Sequence, residues 1–211
     1  MTIKLYCFGE SGNAYKAALT LTLSGLDWEP VYVDFFNGAA RRPDFLALNP
    51  MGEVPVMVAG GETFSQSGTM QLWAAEQSGR FGGRDAAEKR EVLRWMFWDN
   101  HKMSGQAGSL RFMMNFLPEE KRPQEAIRWL SGRVKAALQT LERVLEDRGW
   151  LVGDGPTIAD FACCGYLFYP EPFGFDRKVF PAIDAWLGRI EALPGWKHPY
   201  DMMPGSPADR A

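Results

Sequence analysis

The feature that most limits what this chain can fold into is a change of pattern near residue 80. Before it, short apolar runs alternate with segments of helical spacing; after it, nearly every periodic segment is helical. Ile3 to Phe8 reads as a buried strand, and Ala14 to Leu23 as a helix that Gly25 stops. "WEPVYVDF" reads as a second strand, with Pro30 near its start. Returning to it through a helix makes the two strands parallel. "RRPDFLALNP" holds a short helix ending before Pro50. "VPVMV", "AGG" and "ETFS" read as a hairpin, and a helix from about Gly68 to Gln77 follows. The order is β-α-β-α-β-β-α, a small mixed sheet that needs helices on its faces.

The polar, glycine-rich "SGRFGGRDAAEKR" supplies a linker over 79–86. The expected organisation is an α/β domain at 1–78 and an all-α domain at 87–211. Its helices are expected at Ala86 to Asn115, Pro123 to Arg148, Ile158 to Tyr169 and Val179 to Leu193. The last eighteen residues, with four prolines, are expected to run as an irregular tail.

Composition narrows the function classes. The 211 residues are 46% hydrophobic, enough for one large or two small cores. A net charge of -3, with no run of Lys or Arg longer than two, offers no broad field for nucleic acid or an anionic membrane. No apolar segment approaches the ~20 residues of a bilayer span, and "MTIKLYCFGE" lacks the parts of a signal peptide, so a cytoplasmic location is expected. Cys7, Cys163 and Cys164 have no metal-ligand or disulfide-framework spacing and read as buried thiols. His101 and His198 form no zinc motif, so no metal is expected.

Four stretches stand out. In "FGESGNAYKAAL", Ser11 and Asn13 sit where strand passes into helix, as caps or as donors to a ligand. Ser11 has no neighbouring base except Lys16 and no Gly-x-Ser-x-Gly elbow, which argues against a nucleophile. A hydroxyl at a helix N-terminus instead stabilises a thiolate brought by a ligand. In "VPV", Pro55 opens a strand; the alternatives are a trans proline at a sheet edge or a cis bond that turns the Val54 N-H and C=O outward. In "SQSG", Ser67 is placed as an N-cap at a helix end that favours an anion such as a carboxylate. In "GPTIADFA", Thr157 and Asp160 have capping-box spacing and read as structural.

Taken together, "SGNAYKAAL", "LNPMGEVPVMV", "FSQSGTMQLWAAE" and "GPTIADFACCGYLF" resemble, in order and spacing over essentially the whole chain, the cytosolic glutathione S-transferase family. The resemblance implies a thioredoxin-like N-terminal domain, an all-helical C-terminal bundle, glutathione as co-substrate and a homodimer. It makes Ser11 the donor to the glutathione sulfur and Asn13 a second donor, as in some bacterial members. It implies a cis bond before Pro55, with Val54 pairing its backbone to the cysteinyl unit. Arg41 then meets the glycine carboxylate, and Ser67 the γ-glutamyl end. Two further positions that the resemblance places against glutathione depart from the usual pattern: Glu53, near the glycine carboxylate, stands where Lys or Gln is common, and Gln66, at the γ-glutamyl end, where Glu or Asp is common.

The second substrate, a small hydrophobic electrophile, is expected against "RWMFWDNHKMSGQAGSLRFMMNF", with Trp98, His101 and Arg111 lining its pocket. The expected activity is transfer of glutathione to an electrophile, of the detoxification kind. The alternatives are glutathione-dependent reduction of disulfides or peroxides, and a non-catalytic ligand-binding protein of the same fold. The Ser-Ser-Cys of maleylacetoacetate isomerases and the Cys-x-x-Cys of thioredoxin-type oxidoreductases are both absent at this turn.

Overall fold

A computed structural model describes residues 2–205. Two compact units emerge: residues 2–82 together with 193–205, and Gly83–Ala192. The boundary falls inside the 79–86 stretch, while 193–205 group with the first unit and not with the helical one.

In the first unit, β1 (Ile3–Cys7), α1 (Gly12–Leu23), β2 (Trp28–Tyr32), α2 (Pro43–Leu48), β3 (Val56–Ala59), β4 (Glu62–Ser65) and α3 (Ser67–Ser78) follow the expected order. The sheet runs β2-β1-β3-β4, with β1 and β2 parallel and the other pairs antiparallel. Pro30 lies on the edge strand β2, where its missing N-H costs no ladder bond. The central strand β1 buries Leu5 and Cys7 completely. Helix α1 is apolar nearly all round because it is covered nearly all round: Ala14, Tyr15, Ala17, Ala18, Leu19 and Leu21 are fully buried. It packs on α3, where Gln71 Nε2 donates to Thr20 Oγ1 at 3.0 Å. Gly25, at φ 72°, takes the left-handed conformation that ends the α1 segment.

The tail differs from expectation. Residues 193–205 carry a one-turn helix, α9 (Pro199–Met202), and are tied to the first unit by side-chain and backbone bonds. Tyr15 Oη donates to the Lys197 carbonyl at 3.0 Å, and the Gly9 N-H donates to the Pro204 carbonyl at 2.6 Å. Apolar burial and these bonds order a segment that local propensity alone leaves irregular. The rest of the expected irregular tail, 206–211, lies outside the described residues.

The second unit comprises α4 (Ala86–Trp98), α5 (Gly105–Asn115), α6 (Gln124–Leu145), α7 (Ile158–Cys163) and α8 (Pro181–Glu191). The single helix expected over 86–115 is broken by a π-helical turn, Asp99–Ser104. The buried Ser104 Oγ donates to Asp99 Oδ1 at 2.7 Å, a pair five residues apart that suits the wider turn. A Cβ on Gly105 would stand 2.8 Å from the Asn100 carbonyl oxygen, so this crossing needs glycine. Helix α7 is shorter than the expected 158–169, ending at Cys163 before Gly165.

Helix α6 turns Leu130, Val134, Leu138, Leu141 and Leu145 into the core. The Thr157-Asp160 capping box is present. Asp160, fully buried, also accepts from Leu151 N and Trp186 Nε1, both at 2.9 Å, so one carboxylate joins a loop, α7 and α8. Burial pushes its pKa up, against these hydrogen bonds.

Candidate functional site

The β register brings three stretches of interest to one end of the first unit's sheet. Tyr6 pairs with Val56, and Val56 with Ser65. The end of β1 therefore lies beside the start of β3 and the end of β4, and Ser11, Val54 and Gln66 each follow or precede those strand ends by a few residues.

Ser11 is the N-cap of α1, 7% exposed, and its Oγ accepts from the Ala14 N-H at 3.1 Å. A hydroxyl accepts and donates at once. Among the described residues its O-H donates to no partner, so capping leaves the proton for a ligand. Asn13, half-buried, is the second residue of α1, within the turn whose amides carry the positive end of the helix dipole.

The Val54-Pro55 bond is cis. The ladder starts only at Val56, and among the described residues the Val54 N-H and C=O make no hydrogen bond. A half-buried backbone donor and acceptor side by side match the edge of an extended peptide.

At α3 the expectation of Ser67 as N-cap is corrected. Gln66 holds that position, Ser67 is the first helical residue, and no side chain caps the helix. The cause is the backbone of Gln66, at φ 67° and ψ 120°. Its carbonyl accepts from Thr69 N at 3.1 Å and from Thr69 Oγ1 at 2.8 Å. The start of α3 is thus an anion-favouring helix end with no acidic residue in its first turn and no side-chain cap.

Glu53 and Gln66, expected as two separate ligand contacts, are bonded to each other: Gln66 Nε2 donates to Glu53 Oε2 at 2.9 Å. Asn49 Nδ2 donates to the Glu53 carbonyl at 2.9 Å. Arg41 is exposed, with its Nη1 3.4 Å from the Met51 carbonyl, and it crosses the backbone of Gly52 so closely that a Cβ there would stand 2.7 Å from that nitrogen.

Of the three residues expected to line a pocket in the helical unit, Trp98 borders a cavity that His101 and Arg111 do not line. Trp98 packs edge-to-face on Trp95 at 5.2 Å. It lines a cavity of about 270 Å³ with Lys102, Gln106, Arg133, Ala136, Ala137 and Thr140. His101 is exposed in the π-helical turn, where its carbonyl accepts from Gln106 Nε2 at 3.0 Å. Arg111 is 2% exposed, bonded to Glu171 Oε2 at 2.6 Å, and stacked 4.0 Å from the Tyr169 ring centroid. Its charge is spent inside the fold. The sequence reading passed over Lys102, Gln106 and Arg133, although Trp98, Lys102 and Gln106 recur every four residues, the spacing of one helix face.

Cys7, Cys163 and Cys164 are buried, and burial pushes the Cys7 thiol up to about 12, which removes it as a nucleophile near neutrality. Any reactive thiol must come with a ligand.

Comparison with known proteins finds relatives over most of the chain. Residues 1–74 match the family described as glutathione S-transferase, N-terminal domain, and residues 103–194 the corresponding C-terminal domain. The chain is 32% identical over 218 residues to glutathione S-transferase 3 of Zea mays, covering 97% of this chain and 96% of that one. It is 29% identical over 199 residues to the disulfide-bond oxidoreductase YfcG of Escherichia coli (strain K12), covering 91% of each. A solved structure described as a possible glutathione S-transferase from Rhodopseudomonas palustris superposes with a TM-score of 0.86 at 34% identity, over 93% of this chain and 97% of that one.

Proposed function

The chain belongs to the glutathione S-transferase family, and from that premise we propose that Ser11 and Asn13 hold the sulfur of glutathione as a thiolate for attack on a small hydrophobic electrophile. The observation that carries the reading is the Ser11 hydroxyl, buried at the N-terminus of α1 with its oxygen engaged as a cap and its proton left to donate. A donor and a helix dipole favour the charged form of a neighbouring thiol. Moving its pKa from about 8.5 to neutrality raises the thiolate fraction from a few per cent to about half.

The remaining residues suit the rest of the tripeptide. The unpaired N-H and C=O of Val54, before the cis Pro55, fit the two backbone groups of the cysteinyl unit. The start of α3, with Gln66 and Ser67, fits the γ-glutamyl carboxylate, and Arg41 and Glu53 border the glycine end. In the reaction the thiolate forms a carbon-sulfur bond while the leaving group departs with its electron pair; Ser11 forms no covalent intermediate. Trp98 is the aromatic residue of the helical unit that suits contact with an apolar electrophile, and Arg111 is engaged by Glu171. The enzyme acts as a homodimer in the cytoplasm.

A second reading has a specific support, the likeness to a disulfide-bond oxidoreductase. In that chemistry the same thiolate attacks a disulfide sulfur, forming a mixed disulfide and releasing the other sulfur as thiolate.

The test is a thiolate absorbance titration of bound glutathione. The wild-type protein is expected to ionise it well below the ordinary thiol value, and Ser11→Ala and Asn13→Ala to move the titration upward. An unchanged titration in both variants would sink the sulfur-site assignment. Aryl halides, epoxides and mixed disulfides offered as substrates then separate conjugation from reduction, and analytical ultracentrifugation checks the dimer.

A further inference from the structure

We propose that Pro204 is a positioning residue for Ser11, holding the turn between β1 and α1 in place through a bond from the Gly9 amide to its carbonyl. The proposal rests on the reading of Ser11 as the donor to the glutathione sulfur. Residues 195–205 lie beyond both segments that match the family, so membership alone assigns this stretch no part in the site.

The turn needs a tie from outside. It is closed by one bond of its own, from the Ser11 N-H to the Phe8 carbonyl at 3.1 Å, and with Gly9 inside it and Gly12 just after it the backbone resists bending little. Gly9 is buried, and a buried amide without an acceptor is costly. The Pro204 carbonyl meets it at 2.6 Å, short for an amide donor. On the other side of Ser11, the fully buried Tyr15 donates its N-H to the Ser11 carbonyl at 2.9 Å and its Oη-H to the Lys197 carbonyl at 3.0 Å. Bonds to 193–205 therefore bracket Ser11, at Gly9 before it and at Tyr15 after it.

This strap is stiff where it carries the carbonyl. Met203, 3% exposed, is extended at φ -124° and ψ 146°, the conformation that a following proline demands. The pyrrolidine ring then fixes φ of Pro204 itself. Gly205, at φ 82°, passes so close to the edge strand β2 that a Cβ would overlap the Tyr32 ring, so the chain runs there only as glycine. A hydrogen bond from a hydroxyl to a thiolate weakens steeply as its angle and distance depart from the best values. Fixing the backbone on both sides of Ser11 fixes where its Oγ stands against the sulfur.

The test is the thiolate absorbance titration of bound glutathione, read beside the Gly9 amide resonance in protein carrying isotope-labelled glycine and assigned through Gly9→Ala. Gly205→Val puts a branched side chain at positive φ against Tyr32 and is expected to dislodge the strap and shift the Gly9 resonance. The titration is expected to move upward, lowering the thiolate-to-thiol ratio at a given pH by about threefold or more. Below that titration kcat is expected to fall by the same factor, with KM for glutathione changed by less than about twofold. Tyr15→Phe, which deletes only the Lys197 bond, is expected to move the titration in the same direction by less. A Gly9 resonance that stays in place in Gly205→Val, or one that moves while the titration stays, would overturn the proposal. A wild-type titration at the ordinary thiol value would overturn it together with the Ser11 reading, whereas a titration that Ser11→Ala moves and Gly205→Val does not would overturn this proposal alone.

Discussion

At the scale of single residues, Gln66 shows how a position is chosen for its backbone and its side chain together. A non-glycine residue at φ 67° carries strain of roughly 1–3 kcal/mol, and here it aims the amide at Glu53 and shapes the start of α3. Gln66→Gly and Gln66→Ala both delete the amide, so their difference isolates the backbone. The glycine variant is expected to be the more stable by about 1 kcal/mol in urea unfolding. Equal stabilities would mean that the position is not strained. The Ser11 cap was legible in the sequence because caps act within a few residues, whereas the pattern around Pro55 left cis and trans open and only the family resemblance implied the cis bond. The bond between Glu53 and Gln66 was not legible, because it spans thirteen residues and depends on the register of β3 against β4.

At the scale of elements, two glycines inside helices make opposite demands. Gly132, in α6, has nothing within 4 Å of where a Cβ would stand. Gly132→Ala is expected to raise stability by about 1 kcal/mol through helix propensity alone. A Cβ on Gly108, in α5, would stand 2.7 Å from the Tyr166 hydroxyl and 2.9 Å from its ring. Overpacking of this kind costs roughly 1–3 kcal/mol and exceeds the propensity gain, so Gly108→Ala is expected to lower the denaturation midpoint. A stabilised Gly108→Ala would show that the segment after α7 gives way freely. The sequence located both helices but could not tell these glycines apart, since only the packing of residue 166 against α5 distinguishes them.

At the scale of the whole molecule, all three thiols are buried, so a thiol reagent is expected to label none in the native protein and three per chain after unfolding. Rapid native labelling would contradict the packing. The raised Cys7 value has a definite sign: the folded state holds the proton more tightly than the unfolded chain. Its contribution to stability is therefore complete below about 9 and lost as pH rises toward about 12, where unfolding in alkali is expected to ease, with Cys7→Ala flattening the decline. The sequence by itself determined the strand-helix alternation of the first unit, the helical character of the second, the capping box and the turn that carries Ser11. These are set by propensities and periodicities that act over a few neighbouring residues. Only the tertiary structure decided that residues 193–205 belong with α1. It alone decided that Arg111 meets Glu171, sixty residues away, while Arg133 keeps its charge open to a cavity. Whether a charge is spent or free depends on which distant group the fold brings beside it, and a local pattern carries no record of that.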